Sequence, residues 1–264
     1  MTEVSGSTSL YAVLGDPVAQ VQAPALLNPL LAELGVDAVV VPMRVRPADL
    51  ADALRGLTGI GNVAGLLVTV PHKTSVCELA DELGPAAALS GTANALRRAG
   101  DGWLAENFDG LGFVLGLEAN GHPVRDRHVD LVGAGGAGSA IAVSLLANGA
   151  ARVSVGDVDL ARRDTLVTRL AARWPGRVAA ATNADLASAD IVVNATPLGM
   201  RPADPLPFDP AGTRAGAMVA DIVMKHADTR LLCTAAALGR PTHQGIHMLR
   251  HQVSCYREFF GWTA

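Results

Sequence analysis

Lysine is almost missing from this chain. Of its 21 basic residues only Lys73 and Lys225 are lysines, so a lysine inside a motif stands out. Cysteine is sparse as well. Cys77, Cys233 and Cys255 are far apart, odd in number and never in C-x-x-C spacing, which excludes a disulfide framework and a zinc site and leaves three ordinary thiols. No metal is expected. No block of like charge occurs, and a net charge of −4 excludes a nucleic-acid footprint or a polybasic membrane surface. No apolar run reaches the roughly 18 residues of a membrane span. The first residues (Thr2, Glu3, Ser5, Ser7, Thr8, Ser9) lack the basic start and apolar centre of a signal peptide. These absences predict a cytoplasmic protein, monomer or homodimer, whose partner is a small molecule rather than nucleic acid or membrane.

What is present is hydrophobic patterning. Half of the 264 residues are hydrophobic, enough for a substantial core and most naturally for two domains. Residues 10–15 read as a buried strand closed by Gly15-Asp16-Pro17. A helix should follow, with Pro24 in its first turn, leucines at 26, 27, 30, 31 and 34, and Gly35 as its stop. Strands around 39–41 and 65–70 flank a helix at 48–57. This β-α-β-α-β order predicts a mainly parallel sheet with covering helices. A second series runs through strands at 129–132, 152–155, 191–193 and 218–223, with a helix at 139–148. Residues 109–118 read as a linking helix and 245–260 as a closing helix that returns to the first domain. The expected fold is therefore α/β: an N-terminal α/β domain over 1–108, joined by 239–264, and a Rossmann domain over 109–238.

Gly133-Ala134-Gly135-Gly136-Ala137-Gly138 follows one of these strands directly and opens the next helix. In that context G-x-G-x-x-G is a dinucleotide signature. The first glycine permits the tight turn, the second lets the backbone approach a pyrophosphate, and the third allows close helix–strand packing. The helix N-terminus then offers unpaired N–H groups to the phosphates. Asp157, about 20 residues after the loop, is placed to accept hydrogen bonds from the adenosine ribose hydroxyls, which favours NAD. Arg162 and Arg163, slightly further on, keep NADP open.

Seven segments in order resemble the shikimate/quinate dehydrogenase family: Gly15-Asp16-Pro17-Val18, Val68-Thr69-Val70-Pro71-His72-Lys73, Gly91-Thr92-Ala93-Asn94, Asn107-Phe108-Asp109-Gly110-Leu111-Gly112, the glycine loop, Asn194-Ala195-Thr196-Pro197-Leu198-Gly199-Met200, and Gly245-Ile246-His247-Met248-Leu249-x-x-Gln252. The resemblance implies an N-terminal substrate domain and a C-terminal Rossmann domain. It also implies hydride transfer between a ring alcohol and a nicotinamide, with Lys73 and Asp109 handling the proton. That pairing is chemically apt, because a lysine beside a carboxylate can donate, accept and orient. The same resemblance makes Thr69, Asn94 and Gln252 hydroxyl-binding residues, lines the cofactor with Thr196, Pro197 and Leu198, and puts Ile222, Gly245 and Met248 near the nicotinamide.

The departures from the family pattern are concentrated where substrate would sit. Val21 and Ala23 replace the two serines that bind the substrate carboxylate, and Gln20 stands where a histidine is usual. Leu67 replaces an asparagine, Phe108 a threonine, and Met224 a tyrosine. Losing two donors to a carboxylate costs on the order of 1.5–3 kcal/mol per charged hydrogen bond, so poor binding of shikimate or quinate is expected unless Gln20, Gln22 or an arginine compensates. The leading expectation is an NAD(P)-dependent oxidoreductase acting on a secondary alcohol or ketone of a small cyclic compound. Two alternatives stand beside it: an authentic shikimate or quinate dehydrogenase that holds the carboxylate with Gln20 and Gln22, and an NAD-binding regulatory protein without turnover.

Overall fold

The computed structural model describes residues 4–263, so Thr2 and Glu3 lie outside the described residues. The chain divides into two compact units. One runs to Phe108 and resumes at Val253; the other is Asp109–Gln252.

The first unit contains β1 (Ser9–Gly15), α1 (Ala23–Glu33), β2 (Ala38–Arg44), α2 (Leu50–Thr58), β3 (Val63–Val68), α3 (Ser75–Leu79), β4 (Glu82–Leu83), α4 (Pro85–Ser90), β5 (Ala95–Ala99) and β6 (Gly102–Glu106). Helix α1 starts where Pro24 suits the first turn and stops at Gly35, whose φ of +66° is readily adopted only by glycine. The sheet order is β2-β1-β3-β5-β6-β4. Strand β1 pairs in parallel with β2 and β3, but β5 runs antiparallel to both β3 and β6. Strand β4 pairs in parallel with β6, so the sheet is mainly parallel as expected but mixed, with an antiparallel β3-β5-β6 segment that was not foreseen. Its hairpin is hard to see in the sequence because Arg97 and Arg98 interrupt the apolar pattern. Arg98 is held by donating to the carbonyls of Leu57, Thr58, Ile60 and Val63 while its guanidinium lies 4.4 Å from the Trp103 ring centroid. The two faces of the sheet carry separate apolar clusters. One is built around Leu14, Leu66, Leu96 and Trp103, the other around Tyr11, Leu27, Leu31, Leu67 and Tyr256.

The second unit contains α5 (Asp109–Ala119), β7 (His128–Val132), α6 (Gly136–Ala147), β8 (Arg152–Gly156), α7 (Leu160–Arg173), β9 (Val178–Ala180), α8 (Asn183–Ser188), β10 (Ile191–Asn194), β11 (Met218–Asp221), α9 (Arg230–Ala237) and β12 (Thr242–Gln244). All its strands pair in parallel, in the order β12-β11-β10-β7-β8-β9. Numbered from β7, this is the doubly wound order 3-2-1-4-5-6. Strands covered on both faces read as continuous apolar runs, and Ile191–Asn194 and Met218–Asp221 are buried throughout. Strand β11 ends at Asp221, two residues earlier than the apolar run suggests, because Asp221 turns to bind the loop that follows it.

Helix α10 (Ile246–Phe260) closes the chain and contains the division between the units at Gln252/Val253. The chain therefore returns to the first unit at Val253, not at 239. Residues 239–252 stay with the second unit for two reasons: β12 pairs with β11, and Met248 and Gln252 pack against Gly112 of α5. Among the described residues no helix is long and apolar enough to cross a membrane, and no group of three or more His, Cys, Asp or Glu is arranged to hold a metal.

Two buried titratable groups in the second unit oppose each other. Asp130, mid-strand in β7, is 3% exposed and one of its oxygens lacks a hydrogen-bond partner. Burial, reinforced by Asp185, pushes its carboxyl up to about 7. His243 on β12 is also 3% exposed, edge-on to Phe113 and stacked on His247. Burial, with His247, His122 and His251 nearby, pushes its imidazole down to about 4. Because Asp130 holds its proton more tightly when folded, its contribution to stability is lost as pH rises from about 4 to about 7. Because His243 resists protonation when folded, its contribution is lost as pH falls from about 6.5 to about 4. Asp130→Asn is expected to raise unfolding free energy at pH 8 by up to about 4 kcal/mol, with little gain at pH 4. His243→Phe should remove an acid-side loss of about 3 kcal/mol. Urea unfolding of each variant across pH 4–8 checks both; parallel pH profiles for wild type and variants would contradict them.

Candidate active site

In the second unit the carboxyl ends of β7, β8, β10 and β11 carry the loops that line the site expected for a dinucleotide. Gly133 has φ of +114°, and a Cβ there would come within 2.8 Å of the Ala195 backbone; at Gly138 a Cβ would come within 2.0 Å of the Gly133 carbonyl. Both positions therefore exclude any side chain. At Gly135, by contrast, an added Cβ meets no protein atom within 4 Å. The loop is thus tight where it packs on protein and open at the glycine that heads α6, where a pyrophosphate would approach. Gly136 and Ala137 form the first turn of α6, which has no side-chain cap at Gly135, so its leading N–H groups suit an anion. These residues fit a dinucleotide.

Asp157 sits just after β8, and its side chain is more buried than the sequence suggests. One oxygen accepts from the Ala134 N–H at 2.7 Å, and the other accepts from the Asp159 N–H at 2.8 Å. The acid therefore braces the glycine loop from the turn after β8. Asp159 caps α7 by accepting from the Arg162 N–H at 3.0 Å, and this bond with the Arg162 guanidinium holds its carboxyl below the usual carboxylate range. Val158 between the two acids is fully exposed.

A buried polar network shapes the loop after β10. The Asn194 amide donates to the Leu198 carbonyl at 2.9 Å and to Asp221 at 3.0 Å, while its oxygen accepts from the Thr196 N–H and hydroxyl. Asp221 also accepts from the Thr229 hydroxyl at 2.6 Å and the Val223 N–H at 3.0 Å. Burial nevertheless pushes its carboxyl up. The network fixes the Thr196-Pro197-Leu198 turn and sets Ile222 at the end of β11. Gly245 lies so close to Ile222 that a Cβ would meet its backbone at 2.6 Å. Asn194 and Asp221 as organisers were missed at the sequence level, although a polar residue closing an apolar buried strand is a usable signal.

Asp109 is the first residue of α5 and is 3% exposed. Its Oδ1 accepts from the Gln252 side-chain amide at 3.0 Å. This contact depends on Gly112, where a Cβ would lie 2.5 Å from Gln252 Cγ and 2.6 Å from the Met248 carbonyl. Met248 is buried at the same crossing, and Met224 lies half-buried in the loop after β11.

In the first unit the residues of interest gather where parallel β1 and β3 end. Gly15 abuts Thr69, so that a Cβ on Gly15 would lie 2.5 Å from the threonine methyl. The Thr69 N–H donates to the Leu14 carbonyl, and the His72 ring bonds the Val45 carbonyl at 2.8 Å, anchoring the turn that presents Lys73. The Lys73 carbonyl accepts from the Ala93 N–H at 2.7 Å, which brings Asn94 alongside. Asn94 is buried; its oxygen accepts from the Phe108 N–H at 2.9 Å and its amide donates to the Tyr256 hydroxyl at 3.2 Å. Tyr256 was not foreseen; its signal is its position four residues after Gln252, on the same helical face. Val21, Ala23, Leu67 and Phe108 all belong to the apolar cluster that includes Tyr256. Gln20 is exposed and donates to the Pro17 carbonyl at 2.9 Å, and Gln22 precedes α1 as an exposed residue.

Comparison with known proteins places these features. Residues 13–96 match the family model described as the shikimate dehydrogenase substrate binding domain. The shikimate dehydrogenase (NADP(+)) of Geobacter metallireducens is 36% identical over 261 residues, covering 96% of this chain and 91% of the relative. The shikimate 5-dehydrogenase of Listeria monocytogenes, solved with shikimate and NAD, superposes with a TM-score of 0.89 at 27% identity, covering 99% of this chain and 94% of that one. A 5-ketofructose reductase from Gluconobacter, solved without ligand, superposes with a TM-score of 0.84 at 26% identity, covering 97% and 94%. With sequence likeness over nearly its whole length, an N-terminal substrate domain and a C-terminal Rossmann unit with an open glycine loop, the chain belongs to the shikimate dehydrogenase family of NAD(P)-dependent alcohol dehydrogenases.

Proposed function

We propose that this member of the family interconverts a secondary alcohol and its ketone on a small polyhydroxylated compound that lacks a carboxylate at the usual anchoring position, and that it prefers NAD. The observation that carries the substrate reading is the apolar cluster holding Val21, Ala23, Leu67 and Phe108, beside a retained set of Thr69, Lys73, Asn94, Asp109 and Gln252. Gln20, one of the two amides that could replace the serines, is turned to the Pro17 carbonyl. The Gluconobacter relative is named for a sugar without a carboxylate, which agrees with this reading.

The bound nicotinamide would take up or return the hydride of the carbinol carbon. Every other task falls to side chains. In the oxidising direction Lys73 takes the hydroxyl proton as the C–H bond breaks, so that alcohol and NAD become ketone, NADH and a proton. Asp109, which accepts a hydrogen bond from Gln252, is the acid that the family resemblance assigns to the same proton transfer. Thr69 and Asn94 hold neighbouring hydroxyls through groups that both donate and accept.

Preference for NAD rests on the two acids after β8. A 2′-phosphate near Asp157 and Asp159 would meet like charge, while Arg162 is paired with Asp159 at 3.0 Å and Arg163 with Asp164 at 2.8 Å. The Geobacter relative is named for NADP(+) and the Listeria structure holds NAD, so relatives of this chain include both cofactors.

A panel of uncharged polyols and hydroxy ketones together with shikimate and quinate, followed by NADH absorbance, tests the reaction. Turnover is expected on uncharged compounds and weakly if at all on the two acids. Lys73→Ala should lower kcat by about 10²–10⁴-fold while leaving NAD affinity within about twofold. Shikimate or quinate as the preferred substrate would overturn the substrate reading, and loss of NAD binding in the variant would overturn the role of Lys73. For the cofactor, kcat/KM is expected to favour NAD over NADP by at least about tenfold, and Val158→Arg should narrow that ratio by about 1.4 kcal/mol, or tenfold. A wild-type preference for NADP would refute the assignment.

A further inference from the structure

We propose that the second unit carries a further site, for a small organic monocarboxylate with an apolar body, and that the neighbouring cofactor loop senses its occupancy. This stands apart from the substrate reading above, and its test needs no turnover.

A cavity of about 200 Å³ opens between the chain that follows β10 and the start of α9. All of its lining residues belong to the second unit. Neither the glycine loop nor Ile222, Gly245 or Met248 lines it; of the residues expected along the cofactor, only Leu198 is shared. The cavity therefore adjoins the expected dinucleotide position.

Its polar lining holds cations that the chain does not use. Arg201 and Arg230 both line the cavity, and among the described residues neither guanidinium has an ion pair or a hydrogen bond. Other arginines of the unit are engaged: Arg214 donates to Asp190 and Arg240 to Thr213. Two acids also line the cavity, but donors of the chain meet them. Asp204 accepts from the Gly199 and Arg201 N–H groups at 3.1 and 2.9 Å, and Asp228 accepts from the Gln244 amide at 3.0 Å. Guanidinium forks match the paired oxygens of a carboxylate. The nearby acids make a doubly charged phosphate a poorer match than a single negative charge.

The rest of the lining sets the body of the ligand. Leu231 is buried and Leu206 half-buried, and both belong to the apolar cluster packed under α9. Prolines at 202, 205 and 207 have fixed φ angles, which keeps the rim shaped before anything binds. An apolar ring or chain would bury itself against these residues with its carboxylate toward the arginines.

The link to the cofactor is through the backbone. Leu198 and Gly199 line the cavity and directly continue the Thr196-Pro197-Leu198 turn. Gly199 has φ of +104° and its N–H is tied to Asp204. Thr229, also in the lining, donates to Asp221, the acid that holds Asn194. A ligand packed here restrains the turn that the cofactor meets, so carboxylate and cofactor strengthen each other's binding.

Benzoate is the probe, titrated into the full chain by calorimetry, with benzyl alcohol and inorganic phosphate as controls. Saturable benzoate binding is expected, at least about tenfold tighter than either control and weakened at least about tenfold in the Arg201→Gln/Arg230→Gln variant. Saturating NAD should tighten benzoate binding about fivefold, and benzoate should tighten NAD binding by the same factor. Absent binding, equal affinity for benzyl alcohol, or an unchanged affinity in the double variant overturns the site. Phosphate as the tighter ligand overturns the ligand class. Affinities indifferent to NAD overturn the coupling, and benzoate displaced by NAD places it in the cofactor groove and refutes the proposal. Should the double variant lose its thermal transition, a wild-type crystal soaked in 4-bromobenzoate decides: bromine in this cavity supports the site, and bromine only elsewhere refutes it.

Discussion

The close crossing of α5 and α10 at Gly112 is the contact on which the Asp109 end of the second unit depends. Only a residue without Cβ lets the Met248 carbonyl and the Gln252 side chain come so near α5. With that approach, Gln252 reaches Asp109 at the buried first turn of α5. A polar side chain buried without a hydrogen-bond partner is costly, and the Gln252 amide supplies Asp109 with one. The glycine therefore brings Gln252 to Asp109 through distance alone.

A comparable logic organises the cofactor end. Glycines at 133 and 138 are demanded by backbone contacts, and Asp157 ties the loop down by accepting from Ala134. The neighbouring loop is shaped from beneath by Asn194 and Asp221, whose buried hydrogen bonds leave few alternative arrangements for Thr196-Pro197-Leu198. Buried polar networks that are fully satisfied specify one conformation, at the expense of desolvating the groups that form them. In the first unit the Asn94 amide plays this organising part, with backbone on one side and a phenol on the other.

Much of this was legible in the residues. Apolar runs of the right length located most of the parallel strands, Pro24 and Gly35 bounded α1, and the glycine loop announced its own position between strand and helix. The mixed character of the first sheet was not legible, because β5 and β6 are short and carry Arg97, Arg98 and Glu106. Their pairing is decided by long-range partners: the Arg98 guanidinium collects four carbonyls from α2 and the chain that follows it, up to β3. The end of β11 and the point at which α10 changes units were likewise beyond local pattern, since an apolar run does not say which neighbour it packs against.

The sequence by itself determined the family, the dinucleotide loop and the identity of Lys73, Asp109, Asn94 and Gln252 as residues worth placing, because these are read from residue type and order along the chain. It also determined that positions 21, 23, 67 and 108 carry apolar side chains, Val21, Ala23, Leu67 and Phe108. Only the tertiary structure decided that those four join one cluster with Tyr256, that Asp157 is shared with the loop it faces, and that Gln252 rather than solvent meets Asp109. The reason is that hydrogen bonds and apolar contacts between residues as far apart as Asn94 and Tyr256 depend on where the backbone brings them, and no local spacing encodes that distance.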